Sequence, residues 1–294
     1  MPELPDIVSY CEALERQVVG RELVALSIKS PFLVRSVDPP IATFVGRSVQ
    51  GVERIGKRIV LDFGDGLFLV LHLMIAGRLR WRPPKGKVGG KGPLATFLFA
   101  DGSLFLTEAG TKQRASLTAV RGRAALGAID RGGLEVLSAT REQFIERLRS
   151  ENHTLKRALT DPRLFSGIGN AYSDEILHHA RLSPLQTTAR LDDDGAARLF
   201  ESTRSVLQWW VVHLRGEVGA GFPETVTAFR PEMKVHGRFK QPCPDCGAPV
   251  QRIRYAANET NYCARCQTGG RLLADRAMSR LLREDWPRSL DELE

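Results

Sequence analysis

Four of the five cysteines fall in one short stretch. Cys243-Pro-Asp-Cys246 is followed, sixteen residues on, by Cys263-Ala-Arg-Cys266. Two C-x2-C pairs at this spacing close a tetrahedral metal site, each pair forming a tight knuckle around one ion. Gly247 suits the turn after such a knuckle, and Val250, Ile253 and Tyr255 between the pairs suit a β-hairpin. With all four positions supplied by protein, the expected Zn2+ ion is structural and leaves no open position for chemistry. A redox pair is the competing reading; two pairs at ribbon spacing favour metal. Arg252, Arg254 and Arg265 make the hairpin basic. The remaining Cys11 sits in an amphipathic segment and reads as core packing. An odd, clustered set of cysteines is no disulfide framework and fits a reducing compartment.

The 294 residues are enough for two domains, and 43% hydrophobic content is enough to bury real cores. A net charge of +8 favours an anionic partner such as nucleic acid. No stretch approaches the roughly 20 apolar residues that span a bilayer, and the first residues lack the pattern of a secretion signal. The expectation is a cytoplasmic chain with no membrane partner. Residues 7–18 carry helical apolar spacing. From 21 to 120 the pattern is one of strands: residues 58–63 and 67–73 flank Gly64-Asp65-Gly66, and residues 96–100 and 103–107 flank Asp101-Gly102. Both read as hairpins. A basic Gly/Pro loop fills 82–93. Residues 141–149, 153–160, 171–180 and 196–215 read as helices, and a further helix is expected near 272–282. The fold class is therefore α+β: an amino-terminal helix on a β-rich sandwich, then a helical domain, then the cysteine module.

The chain starts Met1-Pro2-Glu3-Leu4-Pro5-Asp6. With Met1 removed, Pro2 presents a secondary amine able to attack an aldehydic carbon and form an iminium. Glu3 stands ready to pass protons at the same centre. Many chains also begin this way without catalytic purpose. Further on, Gly167-Ile-Gly-Asn170 separates two helical stretches. Backbone amides at the start of the second helix form a natural phosphate site, with Asn170 adding a donor. A plain helical hairpin with glycine caps is the other reading.

Taken together, Pro2-Glu3-Leu4-Pro5, Gly56-Lys57, His72-Leu73, Lys156, Gly167-Ile-Gly-Asn-Ala-Tyr172, Met233-Lys-Val-His-Gly-Arg238 and the terminal C-x2-C…C-x2-C-Gln267 occur in an order that resembles the formamidopyrimidine-DNA glycosylase / endonuclease VIII family. The resemblance implies a two-sheet β-sandwich domain, a helix–two-turn–helix domain and a zinc finger, here at 1–130, 131–232 and 233–267, with an extension at 268–294. It implies a bifunctional DNA glycosylase and abasic-site lyase that acts as a monomer on damaged double-stranded DNA in a bacterial-type cytoplasm, associated with the nucleoid. The damaged nucleotide is flipped out, Pro2 attacks the sugar C1′, and elimination cuts the strand. By motif match Glu3 handles protons, Lys57 contacts phosphate and assists elimination from the strand after Gly56, and His72, Lys156 and Asn170 grip the backbone. An exposed strand lysine and a core histidine are the plainer readings of Lys57 and His72.

Two stretches depart from the family pattern. Asn258 occupies the place of the finger's tip arginine, and Glu259 beside it adds a negative charge; asparagine lacks the bidentate grip of arginine on phosphate. The loop from Thr107 to Leu117 has no aromatic wedge, though Lys112 and Arg114 are placed to touch DNA. Ile75 stands where the family often has an intercalating methionine; core packing is the plain reading of Met74 and Ile75. These departures keep open an alternative, a damaged-DNA-binding protein on the same scaffold that is non-catalytic or altered in specificity. A zinc-ribbon RNA-binding factor would leave the terminus unexplained.

Overall fold

A proline in the first turn fits a helix start, where its missing N–H is not needed. Helix α1 (Leu4–Val18) begins this way with Pro5, and Glu3 is its cap residue. Leu4, Ile7, Tyr10, Leu14 and Val18, spaced by three and four, are fully buried. Cys11, half-buried beside them, packs against the same core, and burial pushes its thiol up to about 12, as expected of an inert core cysteine. The computed structural model describes residues 1–89, 92–109, 112–255, 258–274 and 287–293. They fall into two units: Met1–Arg131 with Trp210–Thr227, and Gly132–Trp209 with Ala228–Glu294.

The first unit is a sandwich of two four-stranded sheets, with antiparallel neighbours throughout. Strands β1 (Ala25–Ile28), β2 (Gly51–Ile55), β3 (Arg58–Asp62), β4 (Leu67–His72), β5 (Gly77–Arg82), β6 (Ala95–Phe99), β7 (Gly102–Glu108) and β8 (Ser116–Arg121) follow in chain order. One sheet runs β2-β3-β4-β8 and the other β1-β6-β7-β5. Ile59, Leu61, Leu69 and Leu71 from the first and Leu79, Phe97, Leu104 and Leu106 from the second fill the core with α1. Val60, Phe68 and Val70 face the other way and are covered by Leu126 of helix α2 (Arg123–Gly127). Burial on both faces explains why β4 reads as a continuous apolar run.

Both expected hairpins form. Gly64, Asp65 and Gly66 all take positive φ. Residues 210–227 join this unit through long-range contacts: Phe222 packs on Tyr10 with ring centroids 5.8 Å apart, and Arg215 holds Glu12 at 2.6 and 3.0 Å.

The second unit holds α3 (Arg141–Arg149), α4 (Leu155–Thr160), α5 (Asn170–His179) and the first part of α6 (Asp193–Val218). Thr140 and Thr154 cap α3 and α4. Phe144 gathers Phe165 and Phe200 into its core. The finger is an antiparallel hairpin of β9 (Val250–Tyr255) and β10 (Asn258–Cys263), followed by α7 (Ala264–Thr268). Leu272, Leu273 and Leu290 complete its core, and backbone bonds join Leu272 to Arg288 and Leu290 to Gly270. The described parts of the carboxy-terminal extension thus pack on the finger. The helix expected near 272–282 lies mostly outside the described residues.

Gly77 closes the loop between β4 and β5 by donating to Leu73 O at 2.9 Å, and a Cβ there would lie 2.3 Å from that oxygen. Gly77→Ala is therefore expected to cost about 1–3 kcal/mol by overpacking. A shift of the urea midpoint at unchanged m-value would register it.

Candidate functional site

In the first unit the site is built around the chain start. Pro2 is buried and Glu3 is only 3% exposed, its N–H donating to Asp6 Oδ2 at 3.0 Å. Burial holds the terminal amine below the ordinary α-amino range, and the charges of Arg78 and Lys57 push it the same way, against Glu3 and Asp6. These four side chains therefore lie within electrostatic reach of the terminus. Removing Met1 passes the free amine to Pro2, the next and buried residue. A depressed amine pKa enlarges the neutral, nucleophilic fraction at pH 7.

Lys57 does not lie on the strand after Gly56. It occupies the two-residue turn between β2 and β3, where Gly56 supplies the positive φ of 58° that a tight hairpin requires. His72 ends β4, opposite Arg58 and Ser116. Burial, with Arg58 and Lys57 adding to it, lowers the His72 imidazole to about 4. It is neutral at pH 7 and suited to hydrogen bonding rather than to charge pairing. The loop beyond it overturns the core-packing reading of Ile75, which is 59% exposed, next to Met74 at a φ of 53°. Positive φ is uncommon for a non-glycine residue and marks a sharply shaped loop.

Arg78 escaped sequence reasoning, because an arginine at an alternating strand position reads as solvent-facing. It donates to Val226 O at 2.6 Å, Gly77 O at 2.7 Å and Ile75 O at 3.2 Å, pinning the Ile75 loop to the returning segment. Lys112 and Arg114 are exposed on the loop after β7. The Glu108 carboxylate fixes the end of that loop by accepting from the Arg114 and Ala115 N–H groups at 2.9–3.0 Å.

In the second unit, α4 and α5 flank the glycine turn, with Gly167 at φ 79°. Asn170 opens α5, so the turn's amides point along a helix start. The Lys156 ammonium is largely buried and donates to Asn170 O at 2.6 Å and to Asp174 Oδ1 at 2.5 Å. Asp174 Oδ2 takes His236 Nδ1 at 2.7 Å and Asn261 Nδ2 at 3.4 Å. Glu175, the next residue, accepts three successive backbone N–H groups, from Lys234, Val235 and His236, at 2.8–2.9 Å. None of these partners was visible from spacing alone, since Asp-Glu within a helix reads as a solvated face. Asn258 opens β10; its side chain is outside the described residues. Glu259 does not present a bare charge: Arg252 and Asn261 both donate to it, at 3.4 and 3.2 Å.

The four finger cysteines converge, with all ligand atoms within 4.8 Å of one another. Cys243 and Cys266 are 4.0 Å apart at sulfur, Cys246 and Cys263 3.4 Å. A regular tetrahedron with Zn–S bonds of about 2.3 Å has edges of about 3.8 Å, so the donor set fits Zn2+. The buried His178 lies against this cluster, its Nε2 3.3 Å from Cys243 Sγ. With every donor position taken, the ion would hold the knuckles together and take no part in chemistry. Cys263→Ser is expected to lose most of the bound zinc and the order of the finger, while the β-sandwich unit keeps its fold. Metal analysis after gel filtration, with near-ultraviolet circular dichroism, checks both.

Sequence profiles match three parts of the chain: the formamidopyrimidine-DNA glycosylase N-terminal domain over residues 1–114, the H2TH domain of the same enzymes over 134–217, and the zinc finger found in FPG and IleRS over 240–269. The formamidopyrimidine-DNA glycosylase of Desulforamulus reducens is 30% identical over 278 residues, covering 91% of this chain and 99% of that protein. An uncharacterized formamidopyrimidine-DNA glycosylase-like protein of Mycobacterium tuberculosis is 40% identical over 151 residues, 51% of this chain and 94% of its own length. Among solved structures, Lactococcus lactis Fpg in complex with abasic-site DNA is similar with a TM-score of 0.79 at 25% identity, covering 90% of this chain and 99% of that one. MutM bound to carbocyclic 8-oxo-G DNA gives 0.79 at 25% identity, covering 91% and 100%. With the buried amino-terminal Pro-Glu pair, the glycine turn and the four-cysteine finger all in place, the chain belongs to the formamidopyrimidine-DNA glycosylase family.

Proposed function

We propose that this base-excision repair enzyme, a DNA glycosylase with abasic-site lyase activity, works through Pro2 once Met1 is removed. The observation that carries the reading is the buried Pro2-Glu3 pair, with Lys57 and Arg78 in electrostatic reach of the chain start. The neutral Pro2 nitrogen attacks C1′ of a flipped nucleotide, and the damaged base leaves with the electron pair of the glycosidic bond. Glu3 donates a proton as the sugar ring opens and takes one back as the iminium forms. Loss of a C2′ proton expels the 3′ phosphate, with Lys57 placed to assist, and hydrolysis of the iminium returns Pro2. Intact Pro2 and Glu3 disfavour a non-catalytic role, since binding alone needs neither.

The turn amides at 167–170, with Asn170 and with Lys156 behind them, take a backbone phosphate. Neutral His72 donates a hydrogen bond, and Lys112 and Arg114 add charge along the duplex. Ile75 is an exposed apolar tip suited to fill the gap left by a flipped nucleotide. The substrate class is oxidised bases, as with the 8-oxo-G analogue bound by the MutM relative. The protein acts as a cytoplasmic monomer. Among the described residues no helix is long and apolar enough to cross a membrane.

Borohydride trapping on abasic-site DNA tests the mechanism. Protein shown by mass to lack Met1 is expected to form a covalent adduct, and Pro2→Gly to reduce its rate at least 100-fold. An equal adduct from Pro2→Gly would refute the Pro2 mechanism. Only the neutral Pro2 amine attacks, so the trapping rate should rise with pH and level off once that amine is deprotonated.

The finger makes a second expectation. In the family this chain resembles, the tip arginine helps a second (δ) elimination after the first; with Asn258 in its place that step lacks its charged assistant. Gels should show the 3′ unsaturated aldehyde of β-elimination dominating over the 3′ phosphate, and Asn258→Arg should raise the phosphate share.

A further inference from the structure

Asp174 lies outside the chemistry proposed above, yet it joins three separate parts of the second unit. Its side chain is wholly buried. One oxygen holds Lys156 from α4; the other holds His236 from the segment before the finger and Asn261 from β10. Lys156 passes the connection on to the Asn170 carbonyl, at the start of α5. Asn261 passes it on to Glu259, and Glu259 to Arg252, whose guanidinium lies 4.2 Å from the centroid of the Phe239 ring.

A carboxylate taken fully out of water persists only when partners replace its hydration. Here those partners come from the phosphate turn's supporting helix and from the finger. The arrangement is dearer than an apolar contact of the same size, which points to a requirement for fixed geometry. Such roles are attested for some buried polar groups.

We propose that Asp174 is a positioning residue that locks the finger hairpin to the 167–170 turn, so that both engage the DNA backbone as one rigid surface. Within it, Lys156 is an internal strut. Its ammonium is neutralised by Asp174, and it acts on DNA through Asn170 rather than by pairing with a phosphate itself. The inference rests on the DNA-repair reading above, but its readout is binding, not chemistry.

The test uses the full-length, zinc-loaded protein and a duplex carrying tetrahydrofuran, an abasic analogue that cannot form an iminium. Asp174→Asn is expected to weaken binding at least 10-fold. Zinc content should hold, and the borohydride trapping rate at saturating abasic DNA should stay within about 3-fold. Asn261→Ala, which removes only the finger arm, should weaken binding 3- to 10-fold with zinc content unchanged, and it carries the test if Asp174→Asn does not fold. Lys156→Gln separates strut from contact. A strut lowers affinity and leaves the salt slope unchanged, whereas a lost phosphate contact reduces the slope by about 0.9. Wild-type affinity in Asn261→Ala and in any folded Asp174→Asn, or a reduced slope in Lys156→Gln, would overturn the proposal. Failure of wild type to trap would instead count against the Pro2 mechanism and leave these binding results standing.

Discussion

The position of the chain's first residues depends on how firmly its first helix is buried. Chain termini ordinarily fray, since few contacts oppose their entropy. Here Ile7, Tyr10, Leu14 and Val18 of α1 lie fully inside the sandwich core. Full burial of a large apolar side chain contributes roughly 1.5–3 kcal/mol, so α1 is tied down far more strongly than a free end. The consequence reaches two residues further back. Pro2 and Glu3 are held buried, a position they could not keep alone, and burial likewise lowers the Met1 amine beside them.

The second unit solves the same problem of rigidity with polar contacts. Helix α5 buries Asp174 and Glu175 side by side, and both hold the segment that leads into the finger: Glu175 takes its backbone N–H groups at 234–236 and Asp174 the ring of His236. Burial raises the Glu175 carboxyl pKa, and the three backbone N–H groups oppose that rise. One turn on, His178 touches a zinc ligand. Residues 170, 174 and 178, spaced by four, share one face of α5. That face thus carries the glycine turn at one end and the metal knuckle at the other. The finger is small, and its apolar core is modest; the metal and this polar face supply the rigidity that a domain of such size rarely gets from burial alone.

Much of this was legible from the chain itself. The hairpins at 58–72 and 96–107 were readable because Gly and Asp at their turns tolerate positive φ. The knuckles were readable because four thiols at ribbon spacing have few other uses. What stayed hidden depends on distant partners or on local backbone shape. An apolar Ile75 reads as core until the positive φ of Met74 turns the loop outward. Lys57 reads as a strand residue because the turn that holds it is only two residues long. The return of 210–227 to the first unit depends on Phe222 meeting Tyr10 and on Arg215 meeting Glu12, about 200 positions apart. Asp174 was hidden for a related reason: a helical Asp-Glu pair carries no sign that lysine, histidine and asparagine from three other segments will surround it.

In the two stretches that depart from the family pattern, the acidic residues are held by their neighbours. Glu259 sits near the finger tip, where a bare negative charge would repel phosphate. Its two oxygens are instead occupied, one by Arg252 and one by Asn261, and Arg252 is further held over Phe239. The carboxylate has become part of the internal lattice of the finger rather than a feature of its DNA face. The same holds at Glu108, whose charge is absorbed by the backbone of the loop bearing Lys112 and Arg114. In both places an acidic residue shapes a segment that stays basic on its outside. Each carboxylate is taken up inside its own segment, so these stretches differ from the family pattern without exposing a bare negative charge.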